Sequence, residues 1–178
     1  MLEAEKYAAA WDLPDYRKFS PAEHFLSAFP GEAGESVIDF GCGTGRATLE
    51  LHRRGMDVRL VDLAPNCLDD DVRAELGDRL EVGNLWDYDG AADWAVCCDV
   101  MEHLPTEYVM AAILNIGRIC DQGWFTICNK EDHFGESIGE TLHLTVKPYS
   151  WWLERMNEVS TVIESRDLLT DSMFHVRF

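Results

Sequence analysis

The sequence predicts an α/β fold in which helices cover both faces of a mainly parallel sheet. Short apolar segments with strand character alternate along the chain with segments of helical periodicity, and this alternation is typical of βαβ crossovers. One short segment, residues 94–98 (WAVCC), is apolar throughout, as expected for a strand buried on both faces. In such sheets ligands bind beyond the carboxyl ends of the strands, so we expect the functional residues there.

Length and composition indicate one globular domain with an acidic surface. The chain has 178 residues, of which 47% are hydrophobic and 27% are charged. These values are close to the average of folded domains and exclude wholesale disorder. The 15 basic and 33 acidic side chains give a formal net charge of −18. A surface of this charge repels phosphate backbones, and the basic residues form no stripe, so nucleic acid is disfavoured as a partner.

No segment of the sequence has the pattern of a membrane span or of a targeting signal. No apolar run approaches the ~18 residues that a span requires, and no basic region followed by an apolar run opens the sequence. We therefore expect a cytoplasmic protein without membrane association. The six cysteines contain no CxxC pair. They are expected to be small buried hydrophobic residues, so neither a disulfide nor a metal site is predicted.

The first half of the chain contains three predicted strands, residues 36–40, 57–61 and 80–82, and two predicted helices, residues 47–54 and 65 to about 76. Gly55 ends the first helix, since glycine is favoured just past a helix terminus. Pro65 is expected to begin the second helix, because proline is tolerated in a first helical turn. The residues before the first strand are expected to cap one face of the sheet.

The second half begins with the apolar strand at 94–98 and continues with the clearest helix of the sequence. After Pro105, apolar residues recur at helical spacing on one face; they are Val109, Ala112, Ile113, Ile116 and Cys120. Gly123 is expected to separate this helix from the next strand. The remaining elements are a strand at 124–128, a polar stretch at 129–140, residues 143–146, a helix from about 149 to 157, and β-rich segments at 159–164 and 173–178.

A glycine-rich turn joins the first predicted strand to the helix that follows it. Residues 39–45 read DFGCGTG, and glycines at such a junction let the backbone turn sharply and approach a ligand closely. A nicotinamide-binding fingerprint requires glycine at position 46, where this chain has Arg46. The Gly-Lys-Ser/Thr of a phosphate-binding P-loop is also absent. A tight turn without a ligand is the structural alternative for this cluster.

The remaining pattern, D-x-G-x-G-x-G, resembles the first motif of the class I S-adenosylmethionine (SAM)-dependent methyltransferases, and later segments resemble further motifs of that family in order. By this resemblance Asp62 accepts both ribose hydroxyls and Leu63 lines the adenine, whereas capping of the next helix is the alternative for Asp62. Asn84 and Leu85 stand where the family usually has an acidic and a small residue. The Asn84 side-chain carbonyl retains one acceptor for the adenine amine, and Trp86 either stacks on the purine or packs in the core.

Residues 99–104 (DVMEHL) resemble the fourth motif of the family. Methyltransferases that act on amino groups of DNA bases have Asp/Asn-Pro-Pro-Tyr/Phe/Trp at this location, so that substrate class is disfavoured. The Glu-His pair of the motif is often structural in the family. The resemblance implies a cofactor site formed by Asp39, Gly41, Cys42, Gly43, Asp62, Leu63, Asn84, Leu85, Asp99, Val100 and Arg17.

Residues 1–35 are predicted to form a helical cap or lid, and residues 36–178 are predicted to form the SAM-binding domain. In methyltransferases similar to this one, the amino-terminal extension often covers the cofactor and the substrate. The side chains suited to this task are Tyr7, Trp11, Tyr16, Arg17, Phe19 and His24. Arg17 is expected to bind the methionine carboxylate, which favours a bidentate cationic donor. An amphipathic helix packed on the sheet is the alternative for the segment.

Residues 129–147, which include the polar stretch 129–140, follow the fifth strand at the ligand edge of the sheet. In the family this location contributes to the acceptor pocket. It contains His133 and His143. A histidine at this position can act as a general base towards a hydroxyl or an amine. We therefore name both as candidate catalytic residues, the alternative being an ordinary polar loop with bystander histidines.

The resemblance implies a three-layer α/β/α sandwich with a seven-stranded, mainly parallel sheet of order 3-2-1-4-5-7-6. It also implies that SAM donates its methyl group by in-line displacement and leaves as S-adenosylhomocysteine (SAH), without a metal. Since the sequence shows no recognition domain and no basic track, we expect a small-molecule acceptor. A non-catalytic SAM- or SAH-binding regulatory protein of the same fold is the alternative, and the oligomeric state is left open.

Overall fold

The computed structural model describes residues 3–18, 22 and 26–178. They form one seven-stranded sheet of order β3-β2-β1-β4-β5-β7-β6, which confirms the order that the family resemblance implied. The strands are β1 Ser36–Phe40, β2 Asp57–Asp62, β3 Leu80–Val82, β4 Ala92–Cys98, β5 Cys120–Cys128, β6 Thr161–Asp167 and β7 Asp171–Arg177. The helices are α1 Glu3–Trp11, α2 Pro14–Arg17, α3 Arg46–Arg53, α4 Asp70–Leu76, α5 Val109–Ile119 and α6 Tyr149–Val159. None of the helices described is long and apolar enough to cross a membrane.

The sheet is parallel except at one end. Strands β3, β2, β1, β4 and β5 run parallel, whereas β7 lies antiparallel between β5 and β6. The carboxyl ends of the parallel strands therefore meet at one edge. The beginning of β7 joins this edge, because Asp171 pairs with Cys128 at the end of β5.

Apolar side chains alternate between the two faces of the sheet and form a core on each. In β1, Val37 packs into one core and Ile38 into the other, and both are fully buried. Helices α5 and α6 cover the face of Ile38, where α6 contributes the fully buried Trp152. Helices α3 and α4 cover the opposite face, where they contribute Leu51 and Val72. The helical layers confirm the predicted three-layer arrangement.

The helix predicted from Pro65 begins later than expected, at Asp70. The residues before it form a turn, in which the Cys67 N–H donates to the Ala64 carbonyl over 3.2 Å. Asp69, directly before the helix, is extended and its side chain does not cap the helix. Two acidic residues in the first turn of α4 face the positive end of the helix dipole, which favours a start at this point.

The predicted boundary between α5 and β5 is also wrong. Cys120, assigned to the apolar helical face, has extended backbone angles and is the first residue of β5. Gly123, expected to separate the two elements, lies inside the strand. It fits there because the Phe125 ring fills the space beside it, 2.5 Å from where a Cβ would be.

Helices α1 and α2 precede the first strand. Tyr7 and Trp11 of this segment pack partly buried against the core that also contains α3 and α4. The predicted cap residues Phe19 and His24 lie outside the described residues. The division of the chain into a cap and a SAM-binding domain stays a prediction.

The glycine-rich turn between β1 and α3 follows a backbone path that favours glycine. Gly41, Gly43 and Gly45 have φ angles of 68°, 52° and 75°, in the left-handed region where a Cβ is strained. At Gly45 a Cβ would also lie 2.7 Å from a methyl group of Val72 and 2.8 Å from one of Leu68. The turn therefore packs directly on α4 and on the loop before it.

We predict that Gly45→Ala destabilises the protein more than Gly139→Ala does. Both glycines have similar positive φ angles, but nothing lies within 4 Å of a Cβ at Gly139. Gly139→Ala should therefore cost only the backbone strain, about 1–2 kcal/mol. Gly45→Ala should add an overpacking penalty of about 1–3 kcal/mol. Urea denaturation measures both, and equal losses would show that contact with α4 does not constrain the turn.

Candidate active site

Two adjoining cavities lie at the carboxyl edge of the sheet. We call the first the narrow cavity; its walls are Glu3, Tyr7, Trp11, Tyr16, Gly41, Asp62, Leu63, Asn84, Leu85, Trp86, Asp99, Val100, His103, Leu104 and Pro105. We call the second the wide cavity, of about 590 Å³; its walls are Trp11, Tyr16, Ala22, Asp39, Gly41, Cys42, Gly43, Thr44, Cys98, Asp99, His103, Cys128, Lys130, Glu131, Asp132, His133, Phe134, His143 and Asp171. The cavities share five residues, among them Gly41 and Asp99, so they meet where β1 and β4 end.

Asp62 ends β2 and lines the narrow cavity. One of its carboxylate oxygens accepts the Gly43 N–H over 3.0 Å, and the other accepts the Ala64 N–H over 2.9 Å. These backbone donors fix the orientation of the carboxylate. Burial raises its pKa, although both hydrogen bonds and a third from Leu63 oppose the shift. Asp62 does not cap α4, which begins only at Asp70.

The residues expected beside an adenine line the same cavity. Leu63 follows Asp62, and Asn84 and Leu85 follow β3. Trp86 also lines this cavity, and its ring stacks on Tyr108 with centroids 5.0 Å apart. The narrow cavity thus combines one fixed carboxylate, an amide and apolar surface.

The loop after β4 closes on the glycine-rich turn. A Cβ on Gly41 would lie 2.3 Å from a methyl group of Val100, so the Val100 side chain packs this closely on the turn only with glycine there. Asp99 has a φ of 54°, which is uncommon outside glycine, and its Oδ1 is buried without a hydrogen-bond partner. Burial, and secondly the charge of Asp171, raise the pKa of Asp99 to about 7.

Asp39 and Cys42 line the wide cavity beneath the glycine-rich turn. Asp39 accepts a hydrogen bond from the Thr48 hydroxyl of α3, while burial raises its pKa to about 6. Cys42 lies near Cys67, and burial raises the pKa of its thiol well above the usual value. Cys42 is therefore a neutral, buried side chain, as predicted for the cysteines.

Trp11 and Tyr16 bring the amino-terminal helices over both cavities. The Trp11 ring lies over the turn, 2.8 Å from where a Cβ on Gly43 would be. Its centroid is 4.7 Å from that of Tyr16, edge to face. Tyr7 lines the narrow cavity and packs its ring edge-on against His103, with centroids 5.6 Å apart.

Arg17 is not placed to bind a carboxylate in either cavity, contrary to the prediction. Its guanidinium donates to the Trp11 carbonyl over 2.7 Å and to the Cys67 carbonyl over 3.0 Å, and it also bonds the Asn66 carbonyl. It forms an ion pair with Asp69 at 3.3 Å as well. Arg17 therefore fastens the amino-terminal helices to the loop that follows Asp62.

Three histidines stand on the wall of the wide cavity. His103 and His143 pack edge to face with centroids 4.7 Å apart, and burial lowers the pKa of His103 to about 3. The Nδ1 of His143 lies 2.6 Å from the Lys130 carbonyl. Since a carbonyl only accepts, this Nδ1 carries a proton, and in the neutral imidazole Nε2 then keeps its lone pair. His133 is exposed and lies 3.1 Å from Glu136.

Glu102 is buried, and its hydrogen bonds join the loop after β4 to the end of β5 and to residues 144–145. Its Oε1 accepts the Cys128 N–H over 3.1 Å, and its backbone carbonyl accepts the N–H groups of Leu144 and Thr145, each over 2.8 Å. A carboxyl oxygen lies within 4.8 Å of a ring nitrogen of both His103 and His143. Its Oε2 is buried without a partner, and burial raises its pKa well above the usual value.

Asp171 is a wall residue that no pattern in the sequence selected. It lies at the start of β7, far along the chain from every motif. Only the pairing of β7 with β5 places it beside Cys128 and into the wide cavity. The order of strands was predicted, but no local pattern marked this residue.

The comparisons with known proteins agree with this geometry. A family model described as a methyltransferase domain matches residues 15–170. The chain belongs to this family. Magnesium-protoporphyrin O-methyltransferase of Rhodobacter capsulatus is 34% identical over 100 residues, which are 52% of this chain and 45% of that protein. This chain spans about half the length of the curated relatives it matches.

Solved structures of methyltransferases share the fold. The methyltransferase crystallised with the Trm112 activator of Haloferax volcanii superimposes with a TM-score of 0.74 at 18% identity, covering 98% of this chain and 95% of that one. Magnesium protoporphyrin IX methyltransferase from Synechocystis with bound SAM gives a TM-score of 0.68 at 16% identity, covering 97% and 80%. These matches confirm the class I, Rossmann-like methyltransferase fold.

We predict that Glu102→Gln makes stability less dependent on pH. The pKa of Glu102 is raised in the folded protein. Its contribution to the free energy of unfolding is therefore fully present below its unfolded pKa of 4.5 and is lost as pH rises above that value. Glutamine keeps an acceptor for the Cys128 N–H but does not ionise. Above pH 4.5 the stability advantage of the variant should grow with pH, by at most about 1.4 kcal/mol per pH unit, and denaturation at a series of pH values from 4.5 to 8 measures it.

The matched control is Glu107→Gln, which changes an exposed glutamate in the neighbouring turn. It should follow the pH profile of the wild-type protein. Parallel profiles for Glu102→Gln and the wild-type protein would show that Glu102 does not ionise at a cost to folding.

Proposed function

We propose that this chain transfers a methyl group from SAM to a small molecule, with SAM in the narrow cavity and the acceptor in the wide cavity. The observation that carries the proposal is the junction of the two cavities at Gly41 and Asp99, because a methyl donor and its acceptor must meet at one point. A non-catalytic SAM-binding protein needs no second cavity, so the wide cavity of about 590 Å³ favours an enzyme.

The narrow cavity has the groups that adenosine requires. Asp62 presents a carboxylate whose orientation two backbone donors already fix, and this suits binding of the two ribose hydroxyls. Leu63 and Leu85 offer apolar surface for the adenine, and Asn84 offers an acceptor for its amine. Gly41 keeps the backbone path free of a side chain beside Val100.

The chain contributes proximity, orientation and, where needed, a base. SAM, when bound, supplies a methyl group activated by its sulfonium, and we therefore expect no metal to take part. A lone pair on the acceptor forms the bond to the methyl carbon while the methyl–sulfur bond breaks, and that electron pair stays on sulfur. Holding the two reactants in line accounts for most of the rate enhancement in such a step. We further propose that α1 and α2 act as the cap that keeps water out.

The test of the proposed function is binding of SAH to the wild-type protein and to Asp62→Asn. At about 100 times its dissociation constant, SAH should stabilise the wild-type protein by ~2.7 kcal/mol, a rise in Tm of roughly 5–10 °C. Asp62→Asn should weaken binding about 10- to 100-fold, since a hydrogen bond to a charged group contributes about 1.5–3 kcal/mol. Thermal denaturation and calorimetric titration measure both effects.

Asp78→Asn is the control, because Asp78 is exposed and lines neither cavity. It should bind SAH as the wild-type protein does. A thermal shift with NAD but none with SAH would refute the proposed function, and full affinity in Asp62→Asn would show that the ribose is held elsewhere.

We predict that His143→Ala loses methyl transfer but not SAH binding. Its Nε2 has the free lone pair of a general base, and such a base typically contributes about 10²–10⁴-fold. His133→Ala tests the second candidate in the same way, and the exposure of its ring and the contact of its Nδ1 with Glu136 make it the weaker base candidate. Transfer of labelled methyl from SAM into metabolite extracts is the readout. Undiminished transfer in both variants would remove these histidines from the mechanism.

A further inference from the structure

The described walls of the wide cavity carry far more negative than positive charge. Lys130 is the one lysine or arginine among them, whereas the carboxylates are Asp39, Asp99, Glu131, Asp132 and Asp171. None of these carboxylates takes part in the ion pairs found among the described residues. His103 adds no positive charge near neutrality, because its pKa is lowered to about 3.

Two of the carboxylates repel each other, and one carboxyl oxygen of the wall lacks a hydrogen-bond partner. The charge of Asp171 disfavours ionisation of Asp99, so both stand close together without a cation between them. The Asp99 Oδ1 is buried without a hydrogen-bond partner. Glu102, which is fully buried, has an Oε2 in the same state, and its carboxyl group lies within 4.8 Å of the wall residues His103 and His143. A buried carboxyl oxygen without a partner is costly, and the Asp99 Oδ1, in the wall of the cavity, can gain one from a bound molecule.

An aromatic wall faces the same space. Trp11, Tyr16 and Phe134 all line the wide cavity. The ring centroids of Trp11 and Tyr16 are 4.7 Å apart, and those of Tyr16 and Phe134 are 5.7 Å apart, both edge to face. Aromatic faces attract organic cations, and they do so most strongly where water is excluded.

We infer that the acceptor bound in the wide cavity is a small organic cation, a molecule that carries a protonated amine, rather than a carboxylate or a phosphate ester. This inference rests on the proposed function, since it assigns SAM to the narrow cavity. The single excess positive charge of SAM balances only part of the negative charge around it. The remaining carboxylates and the aromatic rings favour an ammonium group and repel an anion.

The experiment compares three size-matched phenols that differ in side-chain charge: tyramine, 4-ethylphenol and 4-hydroxyphenylacetate. Each is titrated by calorimetry into SAH-saturated protein in EDTA, so that no divalent cation contributes. Tyramine should bind at least tenfold more tightly than either of the others. Its advantage should shrink as the salt concentration rises, since salt screens charge pairs that remain partly exposed to solvent.

Two variants locate the preference in the cavity. Glu131→Gln removes an exposed wall carboxylate, and Asp171→Asn removes the one that faces Asp99. Each should reduce the advantage of tyramine severalfold while SAH affinity stays near that of the wild-type protein. Asp78→Asn removes the same charge from an exposed site outside both cavities and should leave the preference unchanged.

Three results would overturn the inference. They are equal or tighter binding of the neutral or the anionic phenol, failure of all three phenols to bind, and a preference for tyramine that survives both wall substitutions. Tight binding of the anionic phenol after Mg²⁺ replaces EDTA would assign the carboxylates to a metal ion instead. Because SAH binding is measured first on the same samples, a failure of the proposed function is recognised separately.

Discussion

The glycine-rich turn after β1 is the constraint on which the rest of the site depends. Its three glycines follow a left-handed backbone path that costs other residues about 1–2 kcal/mol each. Through Gly45 the turn packs on α4, and through Gly41 it packs on Val100. The loops after β1 and β4 are thereby held in contact, so two cavities with different linings share one wall. A side chain at Gly41 would separate these two loops.

The buried carboxylates around this turn fall into two kinds. Asp39 and Asp62 receive hydrogen bonds from α3 or from the backbone, and they fix the course of the chain. Asp99 and Glu102 each keep one oxygen without a partner, although satisfying it would stabilise the fold. Buried carboxyl oxygens without partners beside the ligand edge of a sheet are typical of a site that gives up stability for ligand binding.

Local patterns predicted the strands, whereas their order came from the family resemblance, and the structure confirms both. Glycine spacing located the turn, and the resemblance selected Asp62, which the structure places in the wall of the narrow cavity. The prediction for Arg17 was wrong, because its partners include the backbone carbonyls of residues 66–68. Every residue has a backbone carbonyl, so no sequence pattern marks these partners. Nor did a pattern select Asp171, which reaches the site through strand pairing alone. Contacts that form only when distant strands pair could not be predicted from local sequence patterns.

The fastening of the amino-terminal helices by Arg17 has a kinetic consequence. Trp11 lies over Gly43, and Tyr7 and Tyr16 line the narrow cavity, so in the proposed cap role α1 and α2 must lift before a nucleoside-sized molecule leaves. Lifting would break the bonds of one guanidinium to the Asn66 and Cys67 carbonyls together. Gating motions of this type limit the turnover rate of many enzymes. In that role, an arginine that lines neither cavity sets the residence time of the bound molecule.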